Sequence, residues 1–415
     1  MSPASRVAGL GLSPIRRMAL GAPPGTVSLG LGEPGWPLPQ AARAALTDAG
    51  ADEGALPYGP NAGRPDLVEA IASHHATSSR QAGQGRASGR AGAPVRSEEV
   101  MVTAGSQAAL FALYQTHVEP GTTVLVPDPG FVSYVSLARL CGADPVGYPL
   151  APGGHLDADA LVETLAAHPH TSLVVLCHPA NPTGGMASAT ALAQVAEACA
   201  RQGVLLVSDE VYRELWVHEA PPSLHDVAGV DAGIVLGSMS KAFGAPGLRV
   251  GWAVGAPEVL ATARIVHNAM TTAPAQPSQR AARALLAASD EVLGEGRQHV
   301  RDRWDLVAAR APELLRRAVD PGRAGFYLWV PVPDGAGDDD APDDDSAGHG
   351  ALGHDSPDHD PTLTFALRLR DEGGVTTVPG SAFGARGAGH LRVSLGGPLD
   401  ELAEGLRRLA PWWKA

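Results

Sequence analysis

Residues 173–212 read LVVLCHPANPTGGMASATALAQVAEACARQGVLLVSDEVY, and the fold follows from how this stretch divides. Leu173–Leu176 is a short, continuously apolar run, Ala191–Ala200 has apolar residues at helical spacing, and Val204–Val207 is apolar again. A strand that does not alternate polar with apolar is covered on both faces, which in a strand–helix–strand unit means a parallel sheet between layers of helices. The same signals recur on either side. Val124–Val126, Ile234–Leu236 and Val250–Val254 read as further buried strands, and Phe131–Leu140 and Pro257–Met270 as helices. The expected class is α/β, a large domain with a mostly parallel sheet flanked by helices.

The last third reads differently. A helix over Val300–Ala318, an aromatic strand Phe326–Val330, a helix Leu363–Glu372, strands Val375–Val378 and Leu391–Leu395, and a helix Leu399–Leu409 form a smaller α+β domain. The expected division is an N-terminal arm shared with the small domain (1–45), a large domain (46–295) and a C-terminal small domain (296–415). Two stretches look like surface insertions: 77–97, rich in Ser, Gly, Ala and Arg, and 334–361, rich in Asp, Gly, Pro and His. Neither holds enough apolar surface to order itself.

The formal charge is −13, but 334–361 holds ten Asp and no Lys or Arg, so the rest of the chain is close to neutral. Such a charge argues against a nucleic-acid surface. His349, His354 and His359 lie among these aspartates at spacings that match no known metal loop, so no metal is expected. Cys141, Cys177 and Cys199 are odd in number and form no CxxC pair, which suits a reducing cytoplasm. Arg16 and Arg17 precede no apolar run long enough for a signal peptide or a membrane span.

Lysine usage is the sharpest compositional signal. Of 31 Lys and Arg residues only Lys241 and Lys414 are lysine. Where positive charge alone is needed this chain uses Arg, so an interior Lys points to an amine that must lose its proton and attack carbon.

Four polar stretches stand at predicted strand ends, where α/β sheets bind ligands. They are Asn181-Pro182-Thr183-Gly184-Gly185, Ser208-Asp209-Glu210-Val211-Tyr212, Ser238-Met239-Ser240-Lys241-Ala242-Phe243-Gly244 and Gly247-Leu248-Arg249-Val250-Gly251-Trp252. An amine for a Schiff base, a carboxylate for a pyridinium, and hydroxyls with an Arg for a phosphate together fit a phosphorylated aldehyde cofactor. Singly, each stretch is no more than a turn or a helix cap.

With Leu31-Gly32-Glu33-Pro34-Gly35-Trp36, Tyr58-Gly59-Pro60-Asn61-Ala62-Gly63, Thr103-Ala104-Gly105-Ser106-Gln107 and Leu391-Arg392-Val393-Ser394, these stretches resemble the pyridoxal-phosphate-dependent aminotransferases of fold type I. The likeness is to the class I/II group that includes aspartate, aromatic and kynurenine aminotransferases, and it covers nearly the whole chain outside the two insertions.

The resemblance implies the following roles. Lys241 would carry pyridoxal 5'-phosphate as a Schiff base and move the proton between Cα and C4′. Asp209 would pair with the pyridine nitrogen, and Tyr212 and Asn181 with the ring's phenolic oxygen. Gly105, Ser106 and Gln107 would meet the phosphate at a helix start, with Ser238 and Arg249 completing the cup and Ser240 a weaker candidate. Phe131 would stack on the ring. Arg392 would clamp the substrate α-carboxylate, helped by Asn181 and the backbone of Gly32. Tyr58 would reach the neighbouring subunit's phosphate, which makes the active unit a homodimer.

The implied activity is ping-pong transfer of an amino group from an L-amino acid to a 2-oxo acid, 2-oxoglutarate or pyruvate. Gln107 stands where dicarboxylate-specific bacterial relatives place a Lys, which shifts the expected donor toward neutral or aromatic amino acids. Arg16 or Arg17 is the remaining candidate for a distal carboxylate. A C–S β-lyase of the same fold is the alternative, because these motifs specify the cofactor better than the reaction.

Overall fold

The signals at 173–212 become β6, a helix and β7 in the computed structural model, which describes residues 4–7, 10–51, 54–81, 94–315, 324–333 and 360–413. In chain order the strands are β1 (Val27–Ser28), β2 (Val100–Thr103), β3 (Thr123–Asp128), β4 (Asp144–Ala151), β5 (His155–Leu156), β6 (Thr171–Cys177) and β7 (Leu205–Asp209). They continue as β8 (Ile234–Ser238), β9 (Gly251–Val254), β10 (Tyr327–Pro331), β11 (Val375–Thr376), β12 (Val378–Pro379) and β13 (His390–Ser394).

Eight strands form one sheet in the order β2-β9-β8-β7-β6-β3-β4-β5. β8, β7, β6, β3 and β4 run parallel in succession, while β9 is antiparallel to both of its neighbours and β5 to β4. The sheet is therefore mostly parallel, as its unalternating strands predict. Apolar residues on its two faces pack into separate clusters, one around Leu113, Tyr134 and Leu173, the other around Leu161, Leu176 and Leu192.

Local chemistry sets the element ends. In the helix Ala189–Gln202 the Ser188 hydroxyl accepts the Ala191 N–H, and Gly203 ends it in the left-handed region at φ 66. The first is an ordinary helix start signal and the second an ordinary stop. Asp360 likewise caps the helix Pro361–Asp371, accepting from the Thr362 and Leu363 amides.

The smaller part of the molecule carries two sheets, β10-β13-β12 and the pair β1-β11. β1 comes from the N-terminal arm and pairs in parallel with β11, so the arm joins the C-terminal elements.

Four sequence expectations need correction. The strand expected at Val375–Val378 is two strands in different sheets, because β11 pairs with β1 while β12 pairs with β13. The helix expected from Val300 begins at Ser289 and runs to Leu315. Gly294 and Gly296 hid that start, and a Cβ on Gly296 would sit 3.0 Å from the Ala242 carbonyl. Glycine is there because the helix passes close over the lysine-bearing loop. The supposed insertion at 77–97 is helical as far as Gln81, and Arg96 pairs with Glu98 and Glu99. Phe131 is the cap of the helix Val132–Leu140, not part of it. The remainder of both expected insertions, residues 82–93 and 334–359, lies outside the described residues, as do His349, His354 and His359. Among the described residues no helix is long and apolar enough to cross a membrane.

Candidate active site

The carboxyl ends of β2, β3, β6, β7 and β8 deliver the polar residues to one edge of the large sheet. Lys241 lies three residues past β8, in a turn where the Ser238 hydroxyl accepts the Ser240 N–H at 3.0 Å. Its amine donates to the Gly32 carbonyl at 2.5 Å and lies 5.7 Å from the Tyr212 ring centre. Burial, and next the charge of Arg392, pulls its pKa down to about 8. Arg249 also lowers it, as the smallest of these causes.

Asp209 ends β7, opposite Cys177 at the end of β6. Its Oδ2 accepts the Tyr134 phenol O–H at 2.7 Å, and its Oδ1 the Val211 N–H at 3.4 Å. Burial raises its pKa, against the pull of those two donors and of Lys241. A buried carboxylate in this state favours a cationic partner. The Cys177 thiol accepts the Asn181 N–H at 3.4 Å and is pushed up to about 12 by burial, so it is an inert neighbour.

A candidate anion site stands at the start of the helix Ser106–His117. Gly105 caps it at φ 86, and a Cβ there would meet the Arg249 guanidinium at 2.5 Å. The first-turn amides of Ser106 and Gln107 have no intrahelical acceptor, as in any helix start. The exposed Arg249 donates to the Pro246 carbonyl at 3.0 Å and lies 3.4 Å from the Ser240 hydroxyl. The expectation set Ser238 ahead of Ser240, but the place beside Arg249 belongs to Ser240. Ser238 is buried and its hydroxyl serves the turn. From behind, the buried His267 accepts the Ala104 N–H on Nε2 at 3.2 Å.

Arg392, on β13, is 1 % exposed. Its Nη1 donates to Asn181 Oδ1 at 2.9 Å and its Nη2 to the Gly30 carbonyl at 2.5 Å. The Tyr327 and Phe383 rings flank it at 4.6 and 5.0 Å, and its Nε has no partner. The carbonyl that the guanidinium meets is that of Gly30, while the Gly32 carbonyl accepts from Lys241.

Phe131 packs edge-on against Tyr134, 5.7 Å between ring centres. Tyr58 is 89 % exposed. Arg16 and Arg17 are exposed on the helix Pro14–Leu20. Sequence reasoning passed over Tyr134, His267, Phe383 and Tyr327. For Tyr134 one clue was available: it follows Phe131 by three residues, one helical turn along the same face.

The donor set fits a phosphorylated pyridine aldehyde: one amine of lowered pKa, one buried carboxylate that wants a cation, and a helix start facing an exposed Arg. The Gly105 cradle leaves no room for a side chain between that helix start and Arg249.

Known proteins match the chain in sequence and in fold. The family described as aminotransferase class I and II matches residues 24–409. The chain is 31% identical over 390 residues to the LL-diaminopimelate aminotransferase of Desulforudis audaxviator (strain MP104C), covering 92% of this chain and 89% of that one. To the arginine–pyruvate transaminase of Pseudomonas aeruginosa it is 32% identical over 328 residues, 77% of this chain and 76% of the other. The solved N-succinyldiaminopimelate aminotransferase of Mycobacterium tuberculosis superposes with a TM-score of 0.82 at 29% identity, covering 99% of this chain and 100% of that one.

Proposed function

The chain belongs to the class I and II aminotransferases, and from that premise we propose a division of labour among its residues. It is a pyridoxal-phosphate-dependent enzyme that moves an amino group from an amino acid to a 2-oxo acid. When bound, the cofactor supplies an aldehyde carbon for the amino group and a pyridine ring that takes up electrons from the broken Cα–H bond.

Lys241 holds the cofactor and carries the proton to and from Cα. An amine near pKa 8 is neutral often enough at physiological pH to act as a base, yet still able to return the proton. Asp209, oriented by Tyr134, holds a proton on the pyridine nitrogen. Arg249, Ser240 and the amides of Gly105, Ser106 and Gln107 take the phosphate, and Ser238 braces the turn. Asn181 and Tyr212 face the ring's phenolic oxygen, and Phe131 covers the ring. Arg392, steadied by Asn181, grips the substrate α-carboxylate. Tyr58, exposed, is assigned to the site of a second copy, and the active unit to a homodimer.

One observation carries this reading. The segment Gly30–Gly32 touches both ends of the proposed substrate site, Gly30 on the Arg392 guanidinium and Gly32 on the Lys241 amine. A carboxylate held at the first and an amino group at the second would place Cα beside the base.

The proposed acceptor is pyruvate or 2-oxoglutarate. Pyruvate is in the name of one relative, and Gln107 leaves the phosphate turn without a cation for a distal carboxylate. The β-lyase alternative is not favoured, since these relatives are aminotransferases. A donor and acceptor panel tests the reading: a keto acid should form only when an acceptor is present. Pyruvate and thiol released without an acceptor would restore the lyase.

Two further results are expected. Arg392→Lys keeps the charge but loses the planar fork, and it should lower kcat/KM by about 30- to 100-fold for every donor, mainly through KM. Cofactor affinity should be unchanged; loss of cofactor would show that Arg392 does other work. Reconstitution of cofactor-free enzyme should accelerate as pH rises and level off above about 8, because the attacking amine is protonated below its pKa. Stopped-flow absorbance measures this, and a flat profile between pH 6.5 and 9 would contradict it.

A further inference from the structure

We infer that Tyr327 is a positioning residue for the reaction, its phenol holding the phenol of Tyr212 and its ring face holding the guanidinium of Arg392. The inference rests on the roles proposed above for Tyr212 and Arg392.

Tyr327 opens β10, which pairs antiparallel with β13 so that Trp329 faces Arg392 and Tyr327 faces Ser394. Residues two apart on paired strands share a face, so Tyr327 and Arg392 are diagonal neighbours. The Arg392 guanidinium lies 4.6 Å from the Tyr327 ring centre. The two phenol oxygens of Tyr212 and Tyr327 are 2.7 Å apart and buried. A Cβ on Gly32 would meet the Tyr327 oxygen at 2.2 Å, so no side chain fits between Tyr327 and the carbonyl that receives Lys241.

Apolar packing alone would be served by Phe at 327. The hydroxyl matters because two facing phenols share a single hydrogen bond, and the donor decides which proton stays free. If Tyr327 donates, the Tyr212 proton is free to point at a cofactor oxygen, and Tyr212 becomes the stronger donor. The surroundings favour that direction. Burial raises both phenols and Arg392 pulls both down, and it is the Tyr327 ring that the guanidinium lies against, 4.6 Å from its centre. The more acidic phenol is the better donor.

The test is a pH titration of the visible cofactor band in holoenzyme carrying Tyr327→Phe, Tyr212→Phe or both. Tyr327→Phe should raise the midpoint by about 0.5 to 1 unit, a threefold to tenfold change in the proton equilibrium. Tyr212→Phe should raise it at least as much, and the double variant no further than Tyr212→Phe alone. A Tyr327→Phe shift that persists in the Tyr212→Phe background overturns the inference, since Tyr327 would then act without Tyr212. So does an unshifted Tyr327→Phe beside a shifted Tyr212→Phe. No shift in Tyr212→Phe overturns the role of Tyr212 itself, and the inference falls with it.

The ring is tested with 3-phenylpropionate, a carboxylate without an amine, binding to the same holoenzymes. Tyr327→Phe should keep the affinity within about twofold and Tyr327→Leu lose about tenfold, in line with a desolvated cation–π contact. Equal affinity in Tyr327→Leu and wild type would remove the ring from the argument. Should Tyr327→Leu not fold, Tyr327→Phe still decides the phenol's part.

Discussion

Lys241→Arg is expected to lower kcat by about four orders of magnitude or more with the fold intact. Arg keeps the positive charge and the length, but guanidinium neither loses its proton near neutral pH nor condenses with an aldehyde. General acid–base transfer alone contributes about 10²- to 10⁴-fold, and the covalent hold on the cofactor is lost with it. Gly105, Ser240 and Arg249 are untouched, so the variant should still bind the cofactor through its phosphate, only without the yellow protein-linked band. In wild type, borohydride reduction followed by peptide mapping should place the label on Lys241. A label on Lys414, which lies outside the described residues, would overturn the assignment.

Asp209→Asn is the second large effect, with an expected loss of about 10²- to 10³-fold in kcat. The amide is nearly isosteric and can still accept the Tyr134 O–H at the 2.7 Å position. What it lacks is charge. Leaving the partner of a buried ion pair uncompensated costs about 3–5 kcal/mol, and here the uncompensated group would be a protonated pyridine, which would shed its proton and cease to draw electrons. Circular dichroism should show an unchanged fold and absorbance titration a retained cofactor. Near-normal kcat would mean that another group protonates the nitrogen.

The pH behaviour of Asp209 has a worked direction. Burial raises its folded pKa in the cofactor-free chain. A carboxylate with a raised folded pKa favours the folded state more when protonated, so this group makes the cofactor-free chain less stable as pH rises through its titration range. A cationic ring beside it reverses that sign. Cofactor should therefore stabilise the protein more at pH 7 than at pH 4, which thermal melts with and without cofactor would measure.

The legible parts of this protein are those whose evidence lies within a few residues. The helix Ala189–Gln202 shows its Ser188 cap, its apolar face and its Gly203 stop in one continuous stretch. Lys241 stands out by composition, Asp209 and Asn181 by their place after apolar runs, and Arg249 by its place just before one. Less visible were elements whose local signals mislead. Gly294 and Gly296 concealed eleven residues of helix, although the close approach to Ala242 is what requires a glycine at 296. Thr376 and Val378 look like one strand because a strand and a change of sheet have the same two-residue period.

From the sequence alone came the α/β class, the strand ends that carry the chemistry, and the cofactor, because periodicity and side-chain chemistry are local properties that survive without coordinates. The tertiary structure alone decided which groups meet. The Gly30 carbonyl receives Arg392 across 362 residues of chain. Ser240 rather than Ser238 stands beside Arg249. Tyr134 holds Asp209 across 75 residues, and Tyr327 holds Tyr212 across 115. Such contacts leave no periodic trace, because each is fixed by how whole strands and helices pack: a shift of one residue in the β10–β13 register would turn Tyr327 to the opposite face and away from both of its partners.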